Sequence, residues 1–101
     1  MSKKITDFVQ LATPLTDIDR AKLIRVVLPA GDTIQNHEAG DRIIYVMNDH
    51  KIKYNSSKFG TVEKEFKEGA SYSMDADTHS VVNTGNTTAK FLIFILKDPK
   101  E

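Results

Sequence analysis

The residues of this chain best suited to chemistry near neutral pH are His37, His79, Arg42 and Tyr72. A neutral imidazole takes or gives a proton, or ligates a metal through one ring nitrogen. A guanidinium keeps its charge and pairs bidentately with a carboxylate or a phosphate. A phenol can act as the acid opposite a histidine base. Strand alternation sorts these residues into faces. Thr33, Gln35 and His37 share one face, with Glu38 pointing the other way. Arg42, Ile44 and Val46 share another, as do Tyr72 and Met74, and His79, Val81 and Asn83. Other chemistry is missing. The chain has no cysteine, so it holds no thiolate site and no disulfide. Ser71, Ser73 and Ser80 have no local elbow, and none of the five glycines belongs to a phosphate-cradling loop.

The elements that carry these residues read as strands. Lys22–Leu28 is rich in β-branched residues and ends at the turn signal Pro29-Ala30-Gly31-Asp32. Thr33–His37 and Arg42–Met47 follow. Asn48-Asp49 reads as a two-residue hairpin turn, because both residues tolerate the positive φ that primed turns need. His50, just after it, reads as an exposed hairpin residue. Lys51–Tyr54, Thr61–Phe66, Ala70–Met74, His79–Asn83 and Ala89–Leu96 complete about eight short strands, with Asp75-Ala76-Asp77-Thr78 as a turn. This predicts an all-β sandwich or barrel. The strand Phe91–Leu96 is apolar on both faces and needs cover on both sides. Residues 5–12 place Ile5, Phe8, Val9 and Ala12 at helix spacing, although a strand fits as well.

With 101 residues, the chain is one domain holding one modest core. Its 14 basic and 14 acidic side chains cancel, which removes any general attraction to nucleic acid or anionic membrane. No apolar run reaches membrane-spanning length, and no apolar stretch backs the two lysines near the start. A cytoplasmic address is expected.

The order of parts resembles the cupin superfamily, small double-stranded β-helix (jelly-roll) barrels of the RmlC-like type. Gly31, five residues and His37 fit the start of the first cupin motif, and Arg42-Ile-Ile-Tyr-Val-Met47 stands where such families read a glutamate-led strand. Gly69, the Met74-x-Ala76-x-x-His79 segment and His79-Ser-Val-Val-Asn83 fit the second. The resemblance implies a jelly-roll barrel over residues 21–97. Residues 1–20 would pack on the barrel or a partner subunit, and 98–101 would form a tail. It also implies a pocket lined by Gln35, His37, Arg42, Tyr72, His79 and Asn83.

Metal-binding members use two histidines and a glutamate from the first motif and one histidine from the second. Here Ala39 and Arg42 replace two of those ligands. The expected cofactor is therefore none. A residual divalent cation would rest on His37 and His79 alone. Arg42 at the glutamate position implies recognition of an anion, or an internal salt bridge to Asp41, Glu38 or Asp77. The resulting expectation is a stand-alone domain that binds a small anionic metabolite through Gln35, Arg42 and Asn83. The alternative is a cupin enzyme, either a metal-dependent dioxygenase or a metal-free isomerase or epimerase using His37, His79 and Tyr72. A homodimer built on Phe91–Leu96 is compatible with both.

Overall fold

The computed structural model describes residues 5–6, as backbone, and residues 11–97. Among the described residues there are ten strands: β1 (Ile5–Thr6), β2 (Ala12–Asp17), β3 (Ala21–Leu28), β4 (Thr33–Ala39), β5 (Arg42–Val46), β6 (His50–Ser56), β7 (Gly60–Phe66), β8 (Ser71–Met74), β9 (Asp77–Asn83) and β10 (Ala89–Leu96). They form two five-stranded sheets, ordered β1-β4-β9-β6-β7 and β2-β3-β10-β5-β8. All pairings are antiparallel except β1 with β4. In the segment open to a helical reading, Ile5–Thr6 and Ala12 are strand and Leu11 is helical; residues 7–10 lie outside the described residues.

The core follows from alternation. Ile24, Val26 and Leu28 of β3, Ile44 of β5, Ile52 of β6, Val81 of β9, and Ala89, Phe91 and Ile93 of β10 all turn inward and are buried. β10 sits between β3 and β5, and only its inner face is covered by the opposing sheet; Phe94 and Leu96 on its outer face remain exposed. Its inner row fills the core. On its outer row Phe94 lies beside Ile43, and Leu92 beside Tyr45. The Pro29–Asp32 turn forms as its residues dictate. The Asp32 amide donates to the Pro29 carbonyl at 3.1 Å. Gly31 takes φ 83, which the third position of a type II turn requires and which side chains resist.

Three local expectations fail. Asn48-Asp49 is not a hairpin, because β5 and β6 lie in different sheets and no residue other than glycine has positive φ among the described residues. The two side chains instead brace a crossing between sheets. Asn48 donates to the Thr88 carbonyl and accepts from the Lys90 amide, and Asp49 accepts from the Glu68 amide. His50 then starts an inward row and is buried against Phe66 and Phe91 rather than exposed. Finally, Asp77 and Thr78 are not turn residues: they open β9 and pair with Ala39 and Glu38.

Candidate functional site

β4 and β9 bring the two candidate histidines face to face. His37 lies directly opposite His79 in the antiparallel ladder, with ring centroids 4.6 Å apart. Reaching that register takes a bulge. Between Ile34 and His37 the pairing slips, so Gln35 and Asn36 together oppose a single residue. The extra residue lets both Ile34 and His37 face inward. Ile34 is buried, and Gln35 is turned outward and exposed. The structure therefore does not bring Gln35 into the pocket. Its part is played by its backbone, whose carbonyl accepts from His37 Nδ1 at 3.0 Å. That bond leaves Nε2 as the acceptor nitrogen of the neutral His37 ring.

Arg42 opens β5 with only 4% of its surface exposed. A buried guanidinium needs a negative partner, and Asp77 supplies it with Arg42 Nη2 3.1 Å from Asp77 Oδ1. Nη1 also donates to the Gly40 carbonyl at 3.0 Å. The Asp77 side chain is shut off from solvent and accepts from the Ser56 hydroxyl at 2.6 Å. His79 Nδ1 lies 3.0 Å from the same Oδ1 and 3.3 Å from Arg42 Nη2. An ionised carboxylate can only accept, so the ring proton belongs on Nδ1, donated to Asp77, and Nε2 keeps its lone pair. Burial alone would raise the Asp77 carboxyl, but the Ser56 hydroxyl, His79 and Arg42 together hold it below the usual carboxylate range. Burial and the Arg42 charge push His79 down to about 4, against the opposing pull of Asp77. At neutral pH the site is thus a closed ion pair beside a neutral imidazole.

These groups meet a cavity of about 240 Å³ inside the barrel. Its walls are mostly apolar, from Ile34, Ile44, Val81, Phe91, Ile93 and Ile95. Its polar residues are His37, Glu38, Arg42, His79 and Tyr54. The Tyr54 ring stands edge-on to His79 at 5.5 Å. Tyr72 does not reach this cavity. Tyr54 stands between, its hydroxyl oxygen 2.7 Å from that of Tyr72, and the Tyr72 ring stacks on Phe66 at 4.7 Å. Burial pushes the Tyr72 phenol far above its ordinary range, so it is no ready proton donor. Asn83 is likewise elsewhere. It is buried as a strut that donates to the Leu28 and Thr87 carbonyls and accepts from the Gly85 amide. Its amide is fully used inside the protein.

Sequence reading misses one member of the site, Tyr54, which carries no motif. Of the three carboxylates offered as an internal partner for Arg42, the structure selects Asp77, which lies on β9 rather than in a turn and shares a strand face with His79. A resident divalent cation does not fit the residues present. Among the described residues no group of three or more histidine, aspartate, glutamate or cysteine side chains gathers to hold one. Arg42 brings a fixed positive charge against His79, and the Asp77 carboxylate is spent on Arg42 and on Nδ1.

No family model matches the sequence, and no curated protein matches it. Solved structures do. A cupin domain from Bordetella pertussis Tohama I superposes with a TM-score of 0.77 at 22% identity, over 97% of this chain and 99% of that one. An RmlC-like cupin family protein from Methanocaldococcus jannaschii, described as a double-stranded β-helix, gives 0.69 at 13% identity over 84% and 77%. A predicted oxalate decarboxylase from Thermotoga maritima gives 0.57 at 25% identity over 77% and 69%. These superpositions over most of the chain show that it has the cupin fold.

Proposed function

We propose that the barrel cavity binds a small, mostly apolar molecule whose head group carries a hydrogen-bond donor, such as a hydroxyl. The observation that carries this reading is the orientation of His79. Asp77 holds its Nδ1 proton, so an acceptor nitrogen is left on a residue lining an apolar cavity. Apolar walls with a few convergent polar groups are the usual makeup of a small-molecule site. The Arg42–Asp77 pair revises the expected anionic preference, because the charge that would attract an anion is already compensated. The reading keeps a cytoplasmic protein with no nucleic-acid partner, supported by the cancelling charges. It also includes a homodimer, supported by Ile43, Tyr45, Phe94 and Leu96, all exposed on one sheet.

Titrating labelled protein with benzyl alcohol and with benzoate, followed by amide chemical shifts, tests the proposal. Benzyl alcohol should move signals from residues 34–42 and 77–81 and bind more tightly than benzoate, and His79→Phe should abolish the difference. Absence of any saturable shift in those segments with either probe would sink it.

A second reading, proton transfer without metal, draws on the Asp77–His79 pair, which resembles the way a base is oriented in acid–base catalysis. The depressed basicity of His79 and the position of Tyr72 behind Tyr54 weigh against it.

A further inference from the structure

A second cavity, of about 300 Å³, opens where the two sheets end at β7 and β8, and it shares only Tyr54 with the first. The register pairs Tyr54 with Val62, Ile52 with Lys64 and His50 with Phe66. Cross-strand partners lie on one face of a sheet, and Tyr54, Ile52 and His50 are buried, so Val62, Lys64 and Phe66 form an inward row. The opposing sheet ends in β8, four residues against the seven of β7. The sandwich therefore stands ajar here. Val62 is 43% exposed although it faces inward, and the Phe66–Tyr72 stack closes one end of the slot. Lys64 breaks the apolar pattern of the row. It is exposed, it is the one charged residue lining the slot, and among the described residues it has no carboxylate partner, only the face of the Phe66 ring, whose centroid lies 5.9 Å from Nζ. The Tyr54 and Tyr72 hydroxyls bond to each other, which uses one of their two protons and leaves the other for an acceptor.

We infer that this slot is a ligand site for a small amphipathic anion: an aromatic or aliphatic body held against Val62, Phe66 and Tyr72, with a single carboxylate directed to Lys64. Lys64 supplies the only cation, and the leftover phenol proton supplies a second donor for a carboxylate oxygen. The site stands independently of whether the barrel cavity binds anything. The competing account is that an inward lysine merely discourages strand pairing at an edge.

The test is an amide chemical-shift titration with naphthoate, with naphthyl methanol as the uncharged control. Naphthoate should saturably shift residues 59–66 and 71–74. The alcohol should bind about tenfold more weakly or worse, the scale of a hydrogen bond to a charged group. Lys64→Glu should cause the same loss, and Lys64→Arg should retain binding. Equal affinity for the two probes, affinity unmoved by Lys64→Glu, no saturable shift, or shifts confined to residues 37–42 and 77–81 would each overturn the site.

Discussion

Arg42, Asp77 and His79 form a single electrostatic unit, and breaking it at one member leaves a buried charge without its counterpart. Asp77→Asn should therefore lower stability by about 3–5 kcal/mol. The double variant Arg42→Met with Asp77→Asn should lose clearly less than the sum of the single losses. Urea midpoints of the four proteins check this, and additive losses would show that the pair is not coupled. The same unit sets a pH dependence. His79 is pushed down to about 4 in the fold, whereas an unfolded histidine titrates near 6.5. Below about 6.5 the unfolded chain binds a proton that the folded chain refuses, so stability falls as pH drops. The contribution is complete above pH 6.5 and is lost through the interval down to about 4, on the order of 3 kcal/mol at most. Burial lowers His50, which adds to this fall, whereas Asp77, held low, adds its own loss only below about 4. Urea midpoints should be flat from pH 7 to 8 and fall steadily from 6.5 toward 4. His79→Gln should flatten that fall, and an unchanged slope would remove His79 from the account.

At the scale of elements, Asn83 separates structural from ligand-facing roles on one strand. It lies on the same face of β9 as His79, yet its three hydrogen bonds tie the end of β3 to the 84–88 loop. Asn83→Ala strands buried carbonyls and should cost about 2–4 kcal/mol, while benzyl alcohol still shifts the signals near His79. Most strands were legible because alternation and turn residues agree, as in β3 with its Pro29–Asp32 turn. What escaped was decided across strands. The bulge in β4 carries no local signature, and only the competition of Ile34 and His37 for the interior reveals it; Gln35 was misplaced for that reason. Asn48-Asp49 has hairpin residues, but the partners of its side chains lie about 20 or 40 positions along the chain, beyond any local pattern. Asp77 was one of three carboxylates open to Arg42, and only the assembled sheets, which pair it with Ala39 of β4, single it out. The face assignments of Arg42, Ile44 and Val46, and of His79, Val81 and Asn83, hold because those strands are regular.

For the whole molecule, the exposed row on the sheet containing β5 and β10 is the feature that concerns assembly. Ile43, Tyr45, Phe94 and Leu96 keep 38–46% of their surface in contact with solvent. A symmetric pair of such sheets would bury the same patch on both copies. Sedimentation should return the dimer mass for the natural chain and the monomer mass for Phe94→Glu, with the fold retained because that side chain faces outward. A monomer in both cases would remove the homodimer from the reading.

The place of β10 between β3 and β5 also bears on how the protein is made. Residues 21–28 and 42–46 belong to one sheet but are joined in it only through residues 89–96. A nascent chain on the ribosome thus carries Ile24, Val26 and Ile44 without their central neighbour until almost the entire barrel has been synthesised. Cooperative folding must wait for that strand to clear the exit tunnel, and the interval is when chaperones would be most needed.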